Sequence, residues 1–154
     1  MTLLKDQLEF EEGRKLTTYV CSQNHKTIGI GHNLDAKPTY KGFKIPNRIS
    51  DSFCDELFDD DVKEATAALT KVYPNVAKLT PARRDALINM TFQLGAGGVS
   101  KFKGMLRALD EKDWQLAHKE ALDSTWAGQT PARAKRVASQ ILTGEYYDVK
   151  KDSI

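Results

Sequence analysis

One stretch constrains this chain more than any other. From Ala86 to Gly95 it reads Ala-Leu-Ile-Asn-Met-Thr-Phe-Gln-Leu-Gly. At helical spacing the apolar residues of Leu87–Leu94 fall on most sides, so a helix here has no face to offer to water. It must be wrapped by other elements, which makes it the centre of a helical core. Thr80-Pro81 supplies its start, with Thr80 as cap and Pro81 at the first helical position. Gly95, Gly97 and Gly98 are predicted to end it. Its polar exceptions, Asn89 and Gln93, lie one turn apart and share a face.

The wrapping elements follow the same logic. Ser50 can cap a helix running to about Val72, with Phe58, Val62, Ala65, Leu69 and Val72 as its apolar stripe. Asp61 borders that stripe and Asp60 points away from it. Short helices are predicted at about 103–110 and 113–123. Thr130-Pro131 repeats the cap signal and opens a last helix, which Gly144 closes. At the other end, Leu4 and Leu8 lie one turn apart on a short first helix that stops at Glu11-Glu12-Gly13, where glycine suits the C-terminal cap.

Residues 14–34 differ in character. Tyr19, Val20, Thr27, Ile28 and Ile30 are strand formers, Ser22-Gln23-Asn24 reads as a turn, and Thr27–His32 alternates with period two. A small antiparallel sheet, a hairpin plus one strand, is expected here. Residues 35–49, with Pro38, Gly42 and Pro46, read as a loop. The fold class is therefore α+β, mainly helical, with one small sheet near the N-terminus.

Composition bounds the function. A chain of 154 residues, 40% of them hydrophobic, can form one compact domain with a real core, or two lobes around a cleft. Its 23 basic and 21 acidic residues give a net charge of +2, too small a bias to name an anionic partner. No apolar run reaches the roughly 18–20 residues needed to span a membrane. The N-terminus carries acidic groups where a signal peptide would be apolar, so the protein is expected to stay in the cytoplasm unless something else releases it. The two cysteines, Cys21 and Cys54, are expected to be free thiols. His25, His32 and His118 lack metal-ligand spacing, and neither a metal nor a cofactor is expected.

Chemistry is sought where polar residues break the pattern. Glu12 stands at the junction of the first helix and the sheet, where a carboxyl can face a cleft and act as a general acid. On local grounds alone Glu11 competes with it. Cys21, in the following turn, is a nucleophile or base if its surroundings favour the thiolate. Thr27 opens the strand beyond.

Glu12, eight residues, Cys21, five residues, Thr27: this arrangement resembles the catalytic triad pattern of glycoside hydrolase family 24, the phage lysozymes, which use Glu, then Asp or Cys, then Thr at these spacings. The resemblance favours Glu12 over Glu11. Thr27–His32 is similar to the family's strand. Ala86–Gly95 and Trp126-Ala127-Gly128-Gln129-Thr130-Pro131-Ala132-Arg133-Ala134-Lys135-Arg136-Val137 are similar to two further family motifs, so the likeness extends over nearly the whole chain. Two departures stand out. Where a similar member carries Asp this chain has Cys21, so the usual pair of carboxylates is missing. Residues 33–49 are also shorter than the corresponding stretch.

The resemblance implies hydrolysis of the β-1,4 bond between N-acetylmuramic acid and N-acetylglucosamine in bacterial peptidoglycan, for host lysis. Glu12 would protonate the leaving oxygen, Cys21 would replace the second carboxylate, and Thr27 would position the water or the sugar. Whether Cys21 attacks the sugar or activates water, and so whether the outcome is retention or inversion, stays open. Gln93, Trp126 and Arg133 would support the substrate site, with Arg133 at a position that pairs with the catalytic Glu. His32 and Asp61 would form a structural ion pair. The resemblance also implies a sheet lobe at about 13–49, a connecting helix at about 50–72, and a helical lobe of 1–12 plus 73–154. The enzyme would act as a monomer, with no nucleic acid and no stable membrane insertion. A separate membrane-permeabilising protein would give it access from the host cytoplasm to the cell wall. Two rival readings are a lytic transglycosylase, which needs only a single Glu, and a basic binding module built on Arg133, Lys135 and Arg136.

Overall fold

The computed structural model describes residues 2–149, Thr2 by its backbone alone. Among them are seven α-helices, a short 3-10 helix and two small antiparallel sheets. The α+β class expected from the sequence is the class observed. The chain divides into two compact units. One, the sheet unit, is Leu8–Lys63. The other, the helical unit, comprises the residues up to Gln7 and those from Glu64 onward. The division falls inside α1 (Thr2–Glu12) and inside α2 (Asp51–Val72).

The sheet unit takes its shape from left-handed backbone positions. Gly13, at φ 77°, ends α1 and turns the chain into β1 (Lys15–Val20). Lys26–Gly29 forms β2 and His32–Asn33 forms β3, paired in the order β1-β2-β3. The period-two run at 27–32 is thus not one strand. Gly29 and Gly31 both sit at positive φ (67° and 66°), a conformation that glycine adopts without steric cost, and the run folds back as a hairpin. Residues 35–49 are not all loop. Thr39–Tyr40 (β4) and Phe43–Lys44 (β5) pair across Lys41-Gly42, at φ 51° and 84°, two consecutive left-handed residues that match the twist of a tight hairpin. The backbone of Asn47 and Ile49 then bonds to Thr18 and Leu16.

Arg14 fastens this unit. Its guanidinium bonds Glu9 Oε1 at 2.9 Å, Asp51 Oδ1 at 3.1 Å and Asp55 Oδ1 at 2.6 Å, so one fork ties the end of α1 and the start of α2 to the entry of β1. The Ser50 hydroxyl accepts from the Phe53 amide at 3.0 Å, as its capping position predicts. Leu8, Ile28, Ile30, Leu57, Phe58 and Val62 form the apolar centre.

The helical unit is built around α3 (Pro81–Ser100), where Asp85–Thr91 are all buried. The second half of α2, the 3-10 helix Pro74–Lys78, α4 (Lys103–Asp110), α5 (Trp114–Leu122), α6 (Thr125–Gln129) and α7 (Pro131–Thr143) complete it. α7 packs on α3, α5 and α6. Three sequence expectations need correction. Gly95 breaks the helical path at φ 75°, ψ 161°, but Gly97 and Gly98 lie within helix that continues to Ser100. Thr80 and Thr130 hold cap positions without a capping side-chain bond; Thr130 Oγ1 instead donates to the Trp126 carbonyl. Val72, at the end of its stripe, is exposed. Helix α6 was not foreseen, because its five residues are too few for a periodic signal; Ser124 caps it by accepting from Ala127 N.

Candidate active site

The first candidate group is the last residue of a helix. α1 ends at Glu12 because Gly13 cannot continue it, and Glu12 is half-buried. Its carboxylate lies against the β2–β3 hairpin. A side chain built on Gly31 would put its Cβ 2.8 Å from Glu12 Oε1 and 3.1 Å from Glu12 Cβ. Gly31 therefore serves twice: it supplies the left-handed turn, and it leaves the space that the carboxylate occupies. Sequence reasoning missed this role. The signal was the pair Gly29 and Gly31 flanking Ile30 in a run too regular to be read as a turn.

Cys21 follows β1 and opens the turn that leads to β2. Its amide donates to the His25 carbonyl at 3.0 Å, and Asn24 N donates to the Cys21 carbonyl at 2.9 Å. Burial pushes the thiol pKa up, but hydrogen bonds from the Thr27 side chain and from the amides of His25, Gln23 and Cys21 itself outweigh it. The net shift is downward. These donors favour the thiolate because they bond best to a full negative charge. Thr27 is buried, and its hydroxyl also donates to the His25 carbonyl at 2.9 Å.

Tyr19 joins these groups, although the sequence marked it only as a strand former. In the β1–β2 ladder it is paired with Thr27. Its phenol is pushed up, first by burial and then by the negative charges of Glu12 and Cys21. Tyr19 therefore lies within electrostatic reach of both.

His32 and Asp61 meet in the same unit. His32 Nδ1 is 2.7 Å from Asp61 Oδ2, and His32 Nε2 is 2.9 Å from the Lys37 carbonyl. Lys37 Nζ reaches the other Asp61 oxygen at 3.0 Å. Both sequence-predicted partners are buried or nearly so, and Lys37 is an addition.

The three supporting candidates lie in the helical unit. Trp126 is buried, and its indole N–H donates to Gln93 Oε1 at 2.8 Å. Gln93 Nε2 in turn donates to Thr130 Oγ1 at 3.2 Å. Phe102 meets Trp126 edge-on at 6.0 Å. Together Phe102, Met105 and Trp126, with Lys101, Glu120 and Asp123, border a cavity of about 440 Å³. Arg133 is held by Asn89, which accepts from its Nε at 3.1 Å and its Nη2 at 2.9 Å. Asn89 Nδ2 donates to the Tyr147 hydroxyl at 3.2 Å. The polar pair Asn89 and Gln93 is thus explained: each holds one of the two other residues that the sequence singled out here. Both cysteines are free thiols, with Cys54 buried.

The profile of the Phage lysozyme family matches residues 9–140. The chain is 37% identical over 169 aligned residues to Probable T4-type lysozyme 2 of Dictyostelium discoideum, covering 96% of this chain and 98% of that protein. It is 34% identical to the pre-baseplate central spike protein Gp5 of Enterobacteria phage T4, where 96% of this chain matches 29% of that protein. The Endolysin of Salmonella phage P22 is 32% identical, over 81% of this chain and 82% of its own. A helical core, a small sheet and this match together define a glycoside hydrolase. The chain belongs to the phage lysozyme family.

Proposed function

We propose that this enzyme hydrolyses the β-1,4 bond between N-acetylmuramic acid and N-acetylglucosamine in peptidoglycan. Glu12 protonates the leaving oxygen. The Cys21 thiolate supplies the negative charge that the second carboxylate gives in related enzymes, steadying an oxocarbenium-like transition state. Thr27 orients Cys21 and the reacting water or sugar. The observation that carries this reading is the seating of Glu12 on Gly31, in the unit that also holds Cys21 and Thr27, with the thiol pKa shifted downward by the hydrogen-bonding groups around it. A lowered thiol pKa favours the anion that this role requires.

Gln93, Trp126 and Arg133 support saccharide binding on this reading, a role that rests on the family likeness. The His32–Asp61 pair is structural. The enzyme serves host lysis, reaching the wall after a separate protein has permeabilised the membrane. No helix among the described residues is long and apolar enough to cross one.

Mass spectrometry of digested peptidoglycan tests the chemistry. Hydrolysis leaves free reducing ends at N-acetylmuramic acid, and Glu12→Gln should abolish their release with the melting temperature kept. Products ending in 1,6-anhydro sugars would replace hydrolysis by transglycosylation.

A further inference from the structure

Tyr19 has no part in the reading above, yet it stands among its residues. It sits on β1 opposite Thr27, and directly paired residues in an antiparallel ladder project to the same face of the sheet. Glu12 and Cys21 both act on it through space. It is half-buried, and Lys15 Nζ lies 4.3 Å from the centre of its ring, a cation–π contact that restricts how the ring can turn. The irregularity in the β1–β2 register between Lys15 and Tyr19 accompanies this arrangement. Among the described residues the Tyr19 hydroxyl makes no hydrogen bond to protein. The hydroxyl is not among the buried polar atoms left without a partner, so it is open to solvent and can exchange a bond to water for one to a ligand. Burial and two neighbouring acids also favour the protonated form, so the group is a neutral donor throughout the neutral range.

We propose that Tyr19 is a further substrate-contacting residue, its hydroxyl donating a hydrogen bond to an oxygen of the sugar unit on which Glu12 and Cys21 act. The inference rests on the glycosidase reading of that site. A saccharide suits the position because it presents hydroxyl, ring and N-acetyl oxygens as acceptors where the two protein acids leave a donor unused. Tyr19 takes no proton and gives none up. It holds the sugar in register, so its effect belongs in kcat/KM and in binding of an unreacted oligosaccharide.

The experiment compares Tyr19→Phe with wild type and with Glu12→Gln on soluble peptidoglycan fragments. In parallel, the affinity of an N-acetylglucosamine oligomer is measured for Glu12→Gln and for the Glu12→Gln, Tyr19→Phe double variant. Tyr19→Phe should lose about tenfold in kcat/KM, the size of one hydrogen bond. The double variant should bind the oligomer more weakly than Glu12→Gln, and the melting temperature should not move. Wild-type kcat/KM in Tyr19→Phe, with Glu12→Gln inactive in the same assay, would overturn the inference and leave the glycosidase reading intact. Loss of activity together with a lowered melting temperature and unchanged oligomer affinity would make Tyr19 structural and overturn it as well. If the wild-type protein released no saccharide, the reading of the site would fail and this inference with it.

Discussion

Each of the two units is stabilised internally by different forces. In the helical unit a helix buried for most of its first half is surrounded by others, and stability comes from close-packed apolar side chains such as Leu87, Met90, Met105 and Ile141. The sheet unit has a smaller apolar centre. There the path depends on left-handed positions at Gly13, Gly29, Gly31 and Gly42, and on Arg14 bonding three carboxylates. The candidate acid, thiol and hydroxyl all lie in this second unit. The contrast teaches that groups needing defined polar surroundings sit where turns and hydrogen bonds set the geometry, while a packed helical core supplies most of the burial.

The largest effect should come from breaking the helical side of this comparison. Leu87→Ala removes a fully buried side chain from α3 and should cost about 2–5 kcal/mol, read by denaturant unfolding. The rate of Cys21 alkylation under native conditions should not change, since the turn that cradles it lies in the other unit.

A pair of glycine substitutions sharpens the difference. Gly31→Ala forces a side chain into a left-handed position at a cost of about 1–2 kcal/mol and drives Glu12 from its place. Activity should fall far more than stability does. Gly97→Ala, in the helical unit, meets nothing within 4 Å and lies within helix, so it should stabilise by up to about 1 kcal/mol with activity unchanged. Thermal melts and cell-wall clearing assays check both.

The smallest effect separates two thiols of the same unit. Cys21 is shifted down by its donors against the opposing effect of burial. Its ionisation therefore contributes stability that is present above the unfolded thiol pKa and lost as pH falls through the lowered folded value. Cys54 is shifted up, first by burial and against the opposing charge of Arg14. Its contribution is present below the unfolded value and lost as pH rises through the folded one. Iodoacetamide labelling read by peptide mass spectrometry should modify Cys21 at a lower pH than a free thiol, with Cys54 silent until the protein unfolds. Cys54→Ala should reduce the loss of stability above about pH 8.5, the ordinary thiol value.

Legibility in the sequence followed the same division. Helices of eight residues or more were readable because burial repeats every turn: α2, α3, α4, α5 and α7 lie within a residue or two of their predicted starts. The hairpins were not, because Thr27–His32 has the alternation of a strand and nothing in its period shows that the backbone reverses at Ile30-Gly31. In the candidate site, Glu12, Cys21 and Thr27 were marked by their spacing. Gly31 and Tyr19 were not, since neither residue type is unusual in a strand region.

Sequence alone determined the helical scaffold and the ends of α1 and α7 at Gly13 and Gly144, because periodicity and caps are properties of neighbours along the chain, and its resemblance to a family motif nominated Glu12, Cys21 and Thr27 as candidates. The tertiary structure decided the rest. It seats Glu12 on Gly31, bonds the Cys21 amide to the His25 carbonyl, holds Arg133 with Asn89, and sets Tyr19 opposite Thr27. Those contacts join residues whose proximity depends on turn geometry and strand register, which a one-dimensional pattern does not encode.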